Sequence, residues 1–295
     1  MRAWADKGSE FGKGLAVDAV SYALAFGAGL VPFLLIENMF AAAAALTAAA
    51  TALLFIVSVI FSDVSVYDPY WSVAPPVIVI ASMIKYRLWN VNSAILLGMI
   101  LLWSVRLTAN WQTTYKGLGH EDWRYAQFRK KCSPLLFQTV SFFGFHFIPT
   151  AVVYFGLVSG LLAMRETGFA PLSVIGILVM LGAVLLELFA DRAIHGFLRS
   201  DRGERRTCDV SVWRYSRHPN YLGEMSFWFG MYLYFLALRP DVWYQGLGFL
   251  TIIALFLTVS IPMMEKHNSE RRPDYAEYRA RTPVLIPLPL KKTRR

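Results

Sequence analysis

Residues 213–238 read W-R-Y-S-R-H-P-N-Y-L-G-E-M-S-F-W-F-G-M-Y-L-Y-F-L-A-L. A cationic approach (Arg214, Arg217, His218) gives way at Pro219 to a run of about 20 mostly apolar residues, the length that crosses a bilayer as a helix. Proline suits the first helical position, where its missing N–H costs nothing. Asn220 and Glu224 lie four residues apart, on one face of the helix that Pro219 opens. A carboxylate inside a lipid-spanning segment is expensive, so it marks a contact with a ligand rather than decoration.

The rest of the chain repeats the apolar theme. The chain has 295 residues, of which 56% are hydrophobic, 15% aromatic and only 17% charged. Further apolar runs occupy 15–36, 39–61, 71–84, 91–112, 135–164, 171–191 and 242–262. With 218–238 they predict an all-α, polytopic transmembrane bundle of about eight spans, seven being the alternative. The run at 71–84 is short and broken by Pro75-Pro76, so a re-entrant segment is expected there. The long run at 135–164 contains Pro149 and is expected to tilt or kink. The Ala-rich stretch 41–50 reads as close helix packing inside a span. The first apolar run is long enough to span, so no cleavable signal peptide is expected.

Lys and Arg placement orients the bundle. With eight spans, the N-terminal tail, the loops 113–134 and 192–217 and the C-terminal tail hold 24 of them. The opposite side holds 4 (Lys85, Arg87, Arg165, Arg239), and Arg106 lies within a span. That asymmetry puts both termini on the cytoplasmic side, in a bacterial inner membrane or the endoplasmic reticulum. The net charge of +9 is then mostly a cytoplasmic face that also attracts anionic membrane lipids. The basic residues are dispersed over loops without a recognition motif, so nucleic-acid binding is not expected. Cys132 and Cys208 fall in loops and read as free thiols, and the five histidines show no metal-ligand spacing, so no metal is expected.

The chain divides by function into 1–112, the expected substrate side, and 113–295, the expected catalytic and cofactor-binding region, within one integrated bundle. The loop S-D-V-S-V-Y-D-P-Y-W (62–71) has no cation on an otherwise basic face. It reads either as an active-site element or as an Asp-Pro turn with interfacial aromatics. Loop 113–134 suits an amphipathic interfacial helix. Glu187 and Asp191 stand one turn apart near the end of a span and require a partner, supplied by the following arginines or by a ligand's hydroxyls. Residues 263–287 read as a polar helix ending near Pro283, with Tyr275, Tyr278, Arg271 and Glu265 within reach of one groove.

The polar elements 187–217, 218–224 and 263–287 converge on the ends of the last three spans. Arginine forks suit phosphate, a helix N-terminus adds backbone donors, and carboxylates accept from ribose or amide groups. The chemistry matches a nucleotide-like anion with an apolar substrate arriving from the bilayer. No G-x-G-x-x-G follows a strand, so a Rossmann module is not the means of binding.

The run R-H-P-N-Y-L-G-E (Arg217–Glu224) resembles the signature of the steroid 5-alpha-reductase-like membrane reductases, in particular a bacterial branch catalogued as a domain of unknown function. Sterol C14- and delta-7-type reductases share a similar H-P-N-Y-x-G pattern. Further matches are E-x-x-x-D at Glu187–Asp191, W-R-Y-S-R at Trp213–Arg217, E-D-W-R-Y at Glu121–Tyr125 and D-Y-x-x-Y…I-P at Asp274–Pro287. The resemblance spans roughly 60–290 and is densest after 185. It implies an NADPH-dependent reductase that transfers hydride to a conjugated C=C bond of an apolar lipid, isoprenoid or steroid-like substrate. It implies that Asn220 and Glu224 hold the nicotinamide and ribose end, and that Asp191 and Glu187 meet the adenosine half. Arg199, Arg202, Arg205, Arg206 and Arg217 are its candidate phosphate clamps, with His218, Tyr221 and Tyr275 lining the pocket. The glutamate–tyrosine pair that animal steroid enzymes use to polarise the carbonyl has no clear counterpart here. Tyr67 and Asp68 are the nearest substitutes as catalytic residues. The alternative is an S-adenosylmethionine-dependent membrane methyltransferase of the isoprenylcysteine carboxyl methyltransferase kind, which carries an R-H-P-x-Y-x-G turn. Asn220, the E-x-x-x-D pair and the arginine complement favour the dinucleotide.

Overall fold

The computed structural model describes residues 2–200 and 206–287, and the side chains of residues 11–200 and 206–287. The chain is all-helical, with no strand among the described residues. It forms two compact units, residues 1–161 and 162–295. The sequence reading divides function at 112, and the segment 113–161 packs within the first unit.

The first unit contains α1 (Arg2–Leu35), α2 (Met39–Phe61), α3 (Tyr70–Tyr86), α4 (Val91–Thr114), α5 (Trp123–Lys131), α6 (Pro134–Val140) and most of α7 (Ile148–Ala163). The second contains α8 (Ser173–Leu198), α9 (Pro219–Leu238), α10 (Phe249–Leu255), α11 (Ile261–Arg271) and α12 (Tyr275–Arg281). Among the described residues, six helical stretches are long and apolar enough to cross a membrane: Phe11–Leu35, Met39–Phe61, Val91–Thr114, Pro134–Ala163, Ser173–Leu198 and Pro240–Arg271. The chain is a multi-pass membrane protein. Helices α3 and α9, which coincide with the two remaining expected spans, have 17 and 20 residues and fall outside that set.

The expected break at Pro75-Pro76 is absent: α3 runs through both prolines, which are buried. Each removes one backbone hydrogen bond, and neighbouring side chains answer the loss. Ser104 on α4 donates its hydroxyl to the freed Ser72 carbonyl at 2.7 Å. The Ser72 hydroxyl in turn bonds the Pro69 carbonyl and Thr108.

Just before Pro149, where the sequence leads one to expect a tilt or kink, the helix widens. Residues Ser141–Phe147 make a π-helical turn, closed by the Ile148 N–H bonding the Phe143 carbonyl five residues back. The second unit repeats this at Phe256–Ser260, where Ile261 bonds Phe256 just before Pro262. A proline ring collides with the carbonyl four residues earlier in an α-helix, and widening the turn by one residue relieves that clash. The polar C-terminal segment is two helices rather than one. Pro273 pushes Arg272 into extended geometry, φ −119° and ψ 112°, and the chain restarts at Tyr275.

In the second unit, α8 and α9 are joined along a seam of small residues. A Cβ on Gly176 would stand 2.7 Å from the Gly230 carbonyl, and one on Gly223 would stand 2.4 Å from Glu187 Cγ. Without side chains at these positions the backbones approach closely, as packing in membranes favours.

Candidate functional site

The approach to α9 has only one short helical turn of its own, Ser211–Arg214, so most of its backbone groups need partners elsewhere. The C-terminal segment supplies them. Thr207 donates its backbone N–H (3.0 Å) and its hydroxyl (2.7 Å) to Asp274. These donors outweigh the opposing effect of burial and hold the Asp274 carboxyl below its ordinary value. Arg281 pairs with Asp209 at 2.5 Å. The Tyr278 hydroxyl donates to the Trp213 and Ser216 carbonyls. The Arg217 and His218 N–H groups donate to the Pro283 and Val284 carbonyls at 3.0 and 3.2 Å. The sequence 206–218 is thereby stapled along its length to 272–284.

Glu265 on α11 sits at the centre of this construction. Its Oε1 accepts from His218 Nε2 at 2.8 Å and from the Tyr275 hydroxyl at 2.5 Å. Its Oε2 lies 2.8 Å from Arg217 Nη1 and 3.8 Å from Arg279 Nε. An ionised carboxylate only accepts, so the His218 proton facing it is on Nε2. Burial raises the Tyr275 hydroxyl above its ordinary range, and the Glu265 charge adds to that effect. Arg217 is only 8% exposed. Its Nη1 is close to Glu265 but off line for a hydrogen bond, and its Nε has no acceptor among the described residues. Guanidinium groups are seldom buried with donors to spare.

Arg217 stands directly before the start of α9, whose N-cap is His218 with no side-chain cap. The imidazole is committed to Glu265 and stacks on Tyr221 at 5.3 Å, which packs on Phe256. The first-turn amides thus lack the usual capping side chain, which leaves the positive end of a 20-residue helix beside a buried cation. Asn220, in the first turn, is half-buried, and its amide makes no hydrogen bond among the described residues. One turn further in, Glu224 is buried and accepts from Trp228 Nε1 at 2.9 Å. Glu187 (1% exposed) and Asp191 lie buried along α8, with Glu187 pressed on Gly223. Trp213 fixes the approach to this pair by donating to the Ala190 carbonyl at 2.9 Å.

The structure therefore gathers Arg217, His218 and Tyr275 on one carboxylate, and Glu187 against the residue preceding Glu224. Arg199 is exposed at the end of α8. Arg206 is largely exposed, 3.8 Å from Asp274. Arg202 and Arg205 lie outside the described residues. The hub itself, Glu265, was visible in the sequence only as a groove neighbour of Tyr275; no motif spacing gives it a role.

Tyr67 and Asp68 belong to the first unit. The Tyr67 hydroxyl is 2.5 Å from Thr150 Oγ1, which is 2.7 Å from Thr51 Oγ1. Its ring stacks on Tyr70 at 5.0 Å and packs against His146 at 4.7 Å. Asp68 accepts from the Tyr125 hydroxyl at 2.5 Å and lies 3.7 Å from Arg124. The E-D-W-R-Y motif (121–125) thus works as a clamp on 62–68. Glu121 accepts from the Val64 N–H, and the Asp122 N–H donates to Ser65.

A family model described as "Protein of unknown function (DUF1295)" matches residues 54–282. An uncharacterized protein of Schizosaccharomyces pombe is 25% identical over 263 residues, covering 78% of this chain and 74% of its own length. No solved structure matches the chain. The matched span takes in the clamp, the α8–α9 seam, the stapled approach and Glu265, and the chain belongs to the DUF1295 family.

Proposed function

We propose that this protein is an NADPH-dependent membrane reductase of the steroid 5-alpha-reductase-like kind, acting on a conjugated C=C bond of an apolar substrate drawn from the bilayer. The observation that carries the reading is the buried Arg217, with an Nε lacking an acceptor, beside the uncapped start of α9. A guanidinium and a free helix N-terminus together favour a phosphate-bearing anion. The nearby groups suit the remainder of a dinucleotide. Asn220 has a free amide to pair with a carboxamide, and Glu224, Asp191 and Glu187 are acceptors for hydroxyl and amine groups. NADPH, when bound, supplies the hydride. The chain's own residues then bind and orient: Glu265 holds Arg217 and His218 in place, and Tyr275 fixes Glu265 from the other side. In the first unit, the Tyr67 hydroxyl or Asp68 is the candidate to hold the proton that completes reduction at a carbonyl-activated bond. The basic loops favour the cytoplasmic side for this chemistry.

The test is thermal unfolding of purified protein in detergent, titrated with NADPH and separately with S-adenosylmethionine. The expected result is a saturable NADPH shift that Asp191→Ala and Glu224→Ala abolish. Asn220→Ala is the cleaner probe. Since the Asn220 side-chain amide makes no hydrogen bond among the described residues, its loss is expected to change ligand-free stability by less than about 0.5 kcal/mol while weakening the NADPH shift about tenfold in concentration. A shift with S-adenosylmethionine alone would favour the methyltransferase and overturn the reductase.

A further inference from the structure

In the first unit, the π turn Ser141–Phe147 begins and nearly ends on a buried polar side chain. Ser141 and His146 are both fully buried, and neither Ser141 Oγ nor His146 Nε2 makes a hydrogen bond among the described residues. His146 lies near the middle of the 30-residue apolar stretch Pro134–Ala163. Hydroxyls inside helices commonly bond the carbonyl three or four residues back, as those of Thr47, Ser58, Thr139 and Ser159 do. Ser141 does not. Buried ring nitrogens are also normally paired, and π turns recur at functional sites.

The free nitrogen is an acceptor. His146 Nδ1 lies 2.8 Å from the Ser141 carbonyl, which can only accept, so Nδ1 carries a proton. A buried imidazolium would need a carboxylate partner, and none is paired with His146 among the described residues. The ring is therefore neutral, and Nε2 presents a bare lone pair. Hydroxyls close by are committed to one another. The Tyr67 ring packs on the imidazole at 4.7 Å, but its hydroxyl is 2.5 Å from Thr150 Oγ1, itself 2.7 Å from Thr51 Oγ1. Thr51 continues to the Tyr70 hydroxyl, which donates to the Thr47 carbonyl. Phe55 meets the imidazole edge-on at 5.5 Å and is backed by Phe142. The acceptor is thus held among aromatic rings in a membrane-spanning segment, where an unpaired polar group is costly and water is scarce.

We propose that this π turn binds the hydroxyl group of an apolar alcohol entering from the bilayer, with the ligand's O–H donating to His146 Nε2. A lone pair selects a donor, so an ether or a ketone has nothing to offer it. An ionised head group would need a counter-charge among these rings. A single hydroxyl on a hydrocarbon meets both conditions. Ser141 Oγ, unpaired on the same turn, is a second polar group available to such a ligand. The site lies wholly in the first unit and needs no cofactor, so it stands whether or not the second unit binds NADPH.

The experiment uses full-length protein in detergent with isotope-labelled histidine, titrated with farnesol or dodecanol and with their methyl ethers, which keep the hydrocarbon but lack the O–H. The alcohols are expected to move the His146 Nε2 resonance saturably while Nδ1 stays protonated, and the ethers to leave it in place. The alcohols are also expected to raise the wild-type Tm by several degrees over the ethers, a difference that should vanish in His146→Phe. Equal responses to alcohol and ether would reveal apolar partition alone and overturn the proposal. An Nε2 resonance that neither alcohol moves would overturn it too, as the mark of an internal water on the nitrogen. A proton found on Nε2 in the ligand-free protein has the same consequence. The wild-type comparison needs no folded variant at position 146, because replacing each of the other four histidines in turn assigns the His146 resonance by elimination.

Discussion

At the scale of single residues, two carboxylates are held in opposite ways. Glu265 gathers Arg217, His218 and Tyr275, so removing it strands a buried guanidinium. Glu265→Ala is expected to cost about 3–5 kcal/mol, the range for breaking a buried pair on one side, whereas Tyr275→Phe removes one hydrogen bond and costs about 1 kcal/mol. Denaturant titration in mixed micelles measures both, and equal costs would show that Glu265 is not what retains Arg217. Asp68 behaves differently. Burial pushes its carboxyl from 3.8 up to about 6, opposed by the Arg124 charge and the Tyr125 hydroxyl and reinforced by Asp122 and Asp63. The folded chain therefore holds this proton more tightly than the unfolded chain. The group stabilises the fold below pH 4, and that contribution drains away as pH rises through 6, a loss of about 3 kcal/mol. Asparagine accepts the Tyr125 hydroxyl without ionising. The stability of the wild type relative to Asp68→Asn should fall between pH 4 and 7 and then level off, and a difference that is flat across that interval would refute the assignment.

At the scale of elements, the sequence made the helices legible because their signals are local. Apolar length marks the spans and Pro219 opens α9, whereas neither π turn, before Pro149 or before Pro262, is read from the sequence. What joins the elements was not legible, because it rests on contacts distant in sequence. Tyr125 meets Asp68 across 57 residues, and the Pro283–Val284 carbonyls meet the Arg217–His218 amides across more than 60. Neither leaves a periodicity to detect. The small-residue seam is an intermediate case: glycines are visible in the sequence, but which of them face a partner helix is not. The seam yields a contrast of sign. On Gly223 a Cβ would meet Glu187 Cγ at 2.4 Å and the Ala183 carbonyl at 3.0 Å, so Gly223→Ala must part α8 from α9 and is expected to destabilise by about 1–3 kcal/mol. Gly182, on α8 with nothing within 4 Å of its Cβ position, gains helix propensity instead; Gly182→Ala is expected to stabilise by up to about 1 kcal/mol. Thermal unfolding of the two variants decides it, and matching signs would dissolve the seam as an explanation.

At the scale of the whole molecule, the number of crossings is set by whether α3 and α9 traverse the bilayer. If only the six long apolar stretches cross, the loops around 115–133 and 199–217 lie opposite the N-terminus, and Lys and Arg divide 15 to 13 between the sides, Arg106 again lying within a span. With α3 and α9 crossing as well, both loops return to the N-terminal side and the division is 24 to 4. Insertion strongly favours the asymmetric arrangement, because Lys and Arg flanking a span resist translocation. Geometry allows it. The 20 residues of α9 rise about 30 Å, the full hydrocarbon thickness. The 17 residues of α3 rise about 25 Å, a shortfall that local thinning of the bilayer absorbs at modest cost. Eight crossings are therefore expected, with both termini in the cytoplasm. Reporter fusions in a bacterial host separate the alternatives at one position. A reporter joined after Ser133 should be active in its cytoplasmic form (a fluorescent protein) and silent in its exported form (alkaline phosphatase), matching fusions at the C-terminus. Exported-form activity at Ser133 with a cytoplasmic C-terminus would establish six crossings. That arrangement would set residues 199–217 opposite the cytoplasmic segment 272–284 to which 206–218 is hydrogen-bonded, so the same measurement bears directly on the candidate site.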